Sequence, residues 1–113
     1  MLEIKPIQTK EEQKKICELC GIDFDPDCLA YKASENEKLI GAAQFRILGE
    51  RGVIYDLSNA SGIDDFEALV IMGKAALDFI CRCGLKEKDV NININDIKLK
   101  QAVIDRPCQN HKK

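Results

Sequence analysis

A long apolar helix pattern between two strand patterns is the feature that most limits the folds open to this chain. Between residues 64 and 83, apolar side chains recur every three or four positions, as they do on the buried face of a helix. The preceding "VIYDLSN" favours a strand, and the following "DVNININ" alternates apolar and polar residues, which is typical of a strand. A strand, a helix of about 20 residues and another strand predict a right-handed crossover between parallel strands.

The residues before this unit predict a further helix and an antiparallel sheet. "LEIKPI" favours a short edge strand, and the helix after it has Thr9 as its N-cap and Gly21 as its C-terminal stop. The segments "CLAYKAS", "KLIGAAQFRIL" and "VIYDLSN" are separated by short turns. This spacing predicts a meander of antiparallel strands.

The alternation within these elements predicts which side chains are buried. We expect the middle strand of the meander to have one apolar face and one polar face, so that the sheet is covered on one side only. The first helix is expected to bury Ile16, Leu19 and Cys20. The apolar face of the middle strand is expected to hold Leu39, Gly41, Ala43, Phe45 and Ile47, and its polar face Gln44 and Arg46.

Length and composition predict one domain spanning residues 1–113. A chain of 113 residues is long enough to bury one core. Its net charge of −2 argues against a nucleic-acid partner. No apolar segment approaches the roughly 20 residues of a membrane span, and the first residues lack the pattern of a secretion signal. We therefore expect a cytoplasmic protein without a membrane partner.

Six cysteines are a high count for this length, and two interpretations stay open. Cysteine is among the residues most often buried as a small apolar side chain. Closely spaced cysteines also occur in zinc sites. We favour buried thiols and expect no metal. The pairs with spacings suited to zinc are Cys17 and Cys20, Cys81 and Cys83, and Cys108 and His111.

The predicted order of elements resembles that of the N-acetyltransferase superfamily known as GNAT. The local likeness is strongest in "IYDLSNASGIDDFEALVIMGKAALDFICRCGLKEKDVNINI". The resemblance implies an α+β, acyl-CoA N-acyltransferase-like fold, with a mixed sheet of about five strands around a long central helix. Only 19 residues follow Ile94, so we expect the C-terminal strands of that fold to be reduced or missing.

The resemblance also implies where a cofactor binds. In that superfamily the pantetheine arm of acetyl-CoA lies between the fourth and fifth strands, and the pyrophosphate rests on amides at the start of the next helix. The matching strand end here consists of Leu57, Ser58 and Asn59. With a gap in the alignment, "NASG" takes the phosphate-binding role, and Ser61 and Gly62 then offer amides. These five residues are the predicted contacts to acetyl-CoA.

An acidic turn departs from the pattern of the superfamily. Without a gap, "DDFEAL" occupies the phosphate loop, so Asp64, Asp65 and Glu67 stand where small or basic residues are usual. Carboxylates there repel a diphosphate, and they also stabilise a helix start, with Asp64 as the expected N-cap. We therefore expect the carboxylates of this turn to occupy the place at the helix start where a phosphate would otherwise bind.

Two functions follow as alternatives. The first is an acetyl-CoA-dependent N-acetyltransferase that acylates an amine on a small molecule or another acceptor. The second is a catalytically inactive GNAT-fold binding or interaction module that lacks standard CoA binding. No catalytic residue is assigned, although Asp56 is a candidate base and Tyr55 lies beside it. The open edge of the fifth strand favours pairing into a homodimer or cover by the tail.

Overall fold

A computed structural model describes residues 1–105 of the chain. A short 3-10 turn, Glu87–Asp89, precedes the last strand. The other elements are β1 Leu2–Pro6, α1 Lys10–Leu19, β2 Leu29–Glu35, β3 Lys38–Leu48, β4 Arg51–Asn59, α2 Phe66–Arg82, β5 Val90–Ile92 and α3 Ile97–Asp105.

The strands form one mixed sheet in the order β1-β2-β3-β4-β5. The first four strands pair antiparallel with their neighbours, and β5 pairs parallel with β4. The predicted α+β class, the meander and the parallel connection through a long helix are confirmed. Within residues 1–105 no strand follows β5.

One face of the sheet packs against α2 through an apolar core. Phe45 of β3 and Ile54 of β4 are fully buried there, together with Met72 and Ile80 of α2. The helix α2 also packs against α3. A Cβ atom on Gly73 would lie 2.7 Å from Val103 Cγ2 and 2.9 Å from Leu57 Cδ1. Glycine at this position therefore lets α2 approach both α3 and β4.

The other face of the sheet is covered as well, which corrects the expectation of a sheet covered on one side. Ile16, Cys17 and Cys20 of α1 pack with Ile22 against Ala42 of β3. The chain between α1 and β2 folds over the same face and closes it around Gln44, which is 1% exposed. The polar side of β3 is therefore an interior surface.

Two details of side-chain placement also differ from expectation. Leu19 is 55% exposed, and Cys17 takes the buried position on α1. Leu39 packs on the α1 side because Ile40 is an extra residue in β3: Ala33 pairs with Gly41, whereas Ser34 pairs with Leu39. Such a bulge reverses the alternation of side chains along a strand, and nothing in the local sequence pattern marks it.

The ends of α1 agree with the sequence prediction. The Glu12 amide donates to Thr9 Oγ1 at 3.0 Å, so Thr9 is the N-cap. The helix ends at Leu19, and Gly21 has a φ of +66°, a conformation that suits glycine after a helix. A short helix, α3, follows β5, and at its start the Leu99 amide donates to Asp96 Oδ1.

The cysteines lie on different parts of the molecule. Cys17, Cys20 and Cys28 are buried, and burial raises the pKa of the first two thiols to about 11 and that of Cys28 to about 12. Within residues 1–105, no group of three or more His, Cys, Asp and Glu side chains is placed to hold a metal ion. The pair Cys108 and His111 lies outside the described residues.

No helix in the described part of the chain is long and apolar enough to cross a membrane.

Candidate functional site

The edge strand β5 and its neighbour β4 part before the end of β4. They pair from Gly52 with Val90 to Ile54 with Ile92. The Asn93 amide donates to the Ile54 carbonyl at 2.8 Å. Beyond that point β4 runs on to Asn59, paired with β3 alone. The predicted strand "DVNININ" is therefore shortened to β5, since the chain leaves β4 after Asn93 and turns toward α3.

A bulge in β4 lies where the strands part. Gln44 of β3 pairs with Asp56 and Phe45 pairs with Ile54, so Tyr55 is an extra residue in β4. Past the bulge, the Leu57 side chain lies in the core against α2, whereas Asp56 and Ser58 point to the α1 face. A bulge commonly bends the strand that carries it.

The end of β4 presents unpaired backbone to the gap. The Ala60 amide donates to the Ile40 carbonyl at 2.8 Å. Because facing residues in an antiparallel pair alternate between bonded and non-bonded, Ser58 directs its backbone groups to β3, and Leu57 and Asn59 direct theirs to the gap. The gap thus has the chemistry of a strand edge, with N–H and C=O groups open to an extended partner.

A cavity of about 410 Å³ lies beside this gap on the α1 face. Its polar lining includes Asp56, Asn93 and Gln44. The loop between α1 and β2 forms the opposite wall. The complete lining is Asp23, Phe24, Asp25, Pro26, Gln44, Tyr55, Asp56 and Asn93.

Asp56 is a half-buried carboxylate in that lining. It accepts a hydrogen bond from Gln44 Nε2 at 2.9 Å. Burial raises the pKa of Asp56, the bond from Gln44 lowers it, and the nearby charges of Asp23 and Asp25 raise it further, with a net upward shift. A carboxyl group with a raised pKa inside a cavity suits general base chemistry better than an aspartate on a solvated strand does.

The buried amides beside Asp56 were missed by sequence reasoning. Gln13 and Gln44 are both about 2% exposed or less, and their side chains bond to one another. Gln44 lies between the apolar residues Ala43 and Phe45, which is the one signal that pointed to it. Buried amides require partners, and the partners of Gln44 lie 12 to 31 residues away along the chain.

The start of α2 is capped by the side chain of the residue just before it, Asp65. Asp65 Oδ1 accepts from the Ala68 amide at 3.0 Å, and the helix begins at Phe66. The N-cap is thus Asp65 and not Asp64, which is exposed one residue earlier. Asn59 fixes the cap by accepting from the Asp65 amide at 3.1 Å and donating to its carbonyl at 3.3 Å.

The five predicted cofactor contacts fall into two places. Leu57, Ser58 and Asn59 lie along the gap, and Ser58 Oγ donates to the Cys20 carbonyl at 2.9 Å. Ser61 and Gly62 form the turn between β4 and α2, closed by the Ile63 amide donating to the Ala60 carbonyl. The Ser61 amide already donates to the Leu19 carbonyl at 2.8 Å. Gly62 has a φ of +82° and open space around it. Their role as contacts to acetyl-CoA stays a prediction.

Neither a scan against protein-family models nor a search of curated proteins gave a match to this chain.

Proposed function

We propose that this chain has a GNAT-type fold and acts as an acyltransferase-like protein whose gap between β4 and β5 receives the pantetheine arm of acetyl-CoA. The supporting observation is the parting of the two strands after Ile54, which leaves Leu57 and Asn59 backbone groups facing the gap. Pantetheine carries two amide groups in an extended chain, so it matches an unpaired strand edge. The order of elements supports the same assignment.

The geometry of β4 suits the chemistry of acyl transfer. An amine nitrogen attacks the thioester carbonyl carbon, the C–N bond forms, the nitrogen gives up a proton, and the thiolate leaves as the C–S bond breaks. The Leu57 N–H faces the gap and is the donor we assign to the oxyanion. Asp56 lines the adjoining cavity and is the proton acceptor that we assign to the amine.

The cavity on the α1 face is the side from which we expect the amine acceptor to approach. It opens beside the gap and contains the carboxylates of Asp23, Asp25 and Asp56. These charges favour an acceptor that arrives as an ammonium ion. It passes one proton to Asp56 before the neutral amine attacks, and the second proton leaves with the thiolate as a thiol. The thioester and the acceptor would then meet at the bulge around Tyr55.

A second candidate, a binding or interaction module without standard CoA binding, is favoured by the start of α2. The Asp65 carboxylate occupies the Ala68 amide, and Asp64 and Glu67 add charge to the same turn. A diphosphate seated there would meet like charges, at about 1 to 4 kcal/mol for each contact near 4 Å. The outer edge of β5, which lacks a partner strand within residues 1–105, supplies a surface for a second copy of the chain.

Calorimetry with two thioesters separates these candidates. S-acetylpantetheine carries the arm without the nucleotide, and acetyl-CoA carries both. The transferase proposal expects both to bind in the millimolar range or tighter. Binding of S-acetylpantetheine alone would favour the second candidate, and no heat with either compound at millimolar concentration would overturn the first.

Matched aspartate variants locate the effect of the acidic turn. Asp65→Ala frees the Ala68 amide, so we expect it to strengthen acetyl-CoA binding without changing S-acetylpantetheine binding. Asp64→Ala removes the same charge one residue away and leaves the cap in place. Equal effects of the two variants would mean that net charge, and not the occupied amide, governs affinity.

Activity is measured as thiol release coupled to mass gain on an amine. Asp56→Asn keeps an oxygen that accepts from Gln44 and removes the base. We expect a loss of roughly 100-fold to 10,000-fold in acylation rate, with thioester affinity unchanged. A fully active Asp56→Asn variant would remove Asp56 from the mechanism.

A further inference from the structure

We propose that Gln44 is a positioning residue for Asp56, and that it acts through a chain of hydrogen-bond donors that begins at Lys10 and passes through Gln13. The inference deepens the proposed function and rests on it for the catalytic role of Asp56. The chain joins α1 to β4 through the interior of the α1 face.

The donors in this chain all point the same way. Lys10 Nζ donates to Gln13 Oε1 at 3.0 Å and to the Cys28 carbonyl at 2.6 Å. Gln13 Nε2 donates to Gln44 Oε1 at 2.8 Å, and Gln44 Nε2 donates to Asp56 Oδ2 at 2.9 Å. An ammonium group stands at one end and a carboxyl group at the other. Hydrogen bonds aligned in this way strengthen one another in a medium of low dielectric.

The orientation of the Gln44 amide is fixed by its neighbours. Gln44 Oε1 also accepts from the Asp25 amide at 3.0 Å and from Cys17 Sγ at 3.4 Å. Gln44 Nε2 also donates to the Asp23 carbonyl at 2.9 Å. A flipped amide would set its NH₂ group against two N–H donors and leave the Asp23 carbonyl unpaired. Gln44 therefore has a single orientation, with its donor on Asp56.

The consequence for Asp56 is that its two oxygens differ. Oδ2 is held by Gln44, and Oδ1 has no hydrogen-bond partner among residues 1–105. The carboxyl group lines the cavity beside the gap. One oxygen thus anchors the group while the other is available to take a proton from an amine.

The charged and titratable groups around Asp56 come from α1 and from the loop between α1 and β2. The loop contributes Asp23 and Asp25, whose charges raise the pKa of Asp56 after the larger effect of burial. Helix α1 contributes the Cys17 thiol, and the residue before β2 contributes the Cys28 thiol. Burial raises the pKa of Cys17 to about 11 and that of Cys28 to about 12. Gln44 of β3 has the opposite effect, because its hydrogen bond to the ionised carboxylate lowers the pKa of Asp56.

Carbon-13 NMR titration of the Asp56 carboxyl group tests the proposal without substrate. Gln44→Met keeps the length of the side chain and removes the donor, so the pKa of Asp56 is expected to shift upward. Gln13→Met removes one of the groups that orient Gln44, and a smaller upward shift is expected. The acid limb of the pH profile for acylation should move in the same direction as the pKa.

Asp23→Asn is the matched control. It removes a charge that raises the pKa of Asp56 but keeps the backbone carbonyl that accepts from Gln44. We therefore expect a downward shift, opposite to that of the glutamine variants. Opposite shifts separate the loss of an oriented donor from a general loosening of the loop.

Each outcome decides the proposal. An unchanged Asp56 pKa in folded Gln44→Met protein overturns it, and if that variant does not fold, an unchanged value in Gln13→Met does the same. Upward shifts in the glutamine variants support it. If those shifts occur but the wild-type protein acylates no amine, the positioning of Asp56 stands while the proposed transferase function fails.

Discussion

The two faces of the sheet are held together by different interactions. Against α2 the contacts are apolar, with Phe45, Ile54 and Met72 fully buried. Against α1 the centre of the face is a set of hydrogen-bonded amides around Gln13 and Gln44. Polar groups in an interior are costly unless every partner is present. The cavity lined by Asp56 also lies on the polar face.

The largest loss of stability that would test this difference between the two faces is expected on the apolar face. Phe45→Ala deletes a fully buried ring that packs against Tyr31 and Phe79, with centroids 5.0 and 5.8 Å away. We expect a loss of about 3 to 5 kcal/mol in the free energy of unfolding, measured by urea denaturation. Leu48→Ala on the same strand removes a more exposed side chain and serves as the control. Similar losses in both variants would contradict a core centred on Phe45.

A smaller loss is expected on the polar face. Gln13→Met removes the side-chain donor to the Asp25 carbonyl and one of the three donors to Gln44 Oε1. Unsatisfied buried groups cost about 1 to 3 kcal/mol, again measured by urea denaturation. The exposed neighbour Lys14 supplies the control variant Lys14→Ala. A gain in stability on Gln13→Met would mean that the amides weaken the fold and would sharpen the contrast between the faces.

The cap of α2 is expected to contribute less. Asp65→Ala removes the acceptor for the Ala68 amide, and loss of such a cap costs about 0.5 to 2 kcal/mol. Thermal unfolding of this variant beside Asp64→Ala measures the difference. A loss confined to Asp64→Ala would assign the cap to the residue predicted from the sequence.

The smallest effect is a pH dependence on the polar face. Because burial raises the pKa of Asp56 in the folded state, folding favours the protonated form. This contribution to stability is present at low pH and is lost as pH rises from about 4, the usual aspartate value, through the raised folded value. Asp56→Asn should flatten that slope and raise stability at neutral pH. An unchanged slope in urea midpoints between pH 4 and 7 would contradict the assignment.

The sequence predicts the elements whose signals are local. The periodicity of α2, the Thr9 cap and the turn at Gly21 depend on neighbouring residues, and they agree with the structure. The bulges at Ile40 and Tyr55 do not depend on neighbouring residues and were not predicted, because each is defined by the register with another strand. The same holds for Gln44, whose partners lie on other elements.

The candidate site divides in the same way. The resemblance to the GNAT superfamily implied the strand end at Leu57 to Asn59, which lies beside the gap, and its contact with a cofactor stays a prediction. The loop wall at Asp23 and Asp25 was not predicted, because a turn sequence does not tell which face of the sheet it covers. Asp56 was a candidate base from the sequence, but the contact with Gln44 that changes its chemistry joins residues 12 apart on paired strands.

The extra residue Tyr55 determines which side chains of β4 point into the apolar core and which point toward the cavity. With strict alternation continuing from Ile54, the carboxylate of residue 56 would point into α2 and the leucine of residue 57 would point toward the loop. One inserted position thus exchanges the faces of the sheet to which residues 56–59 of β4 point. A chain of this fold can therefore gain or lose a reactive group at its centre by a change in strand length, with no change in the chemical identity of any side chain.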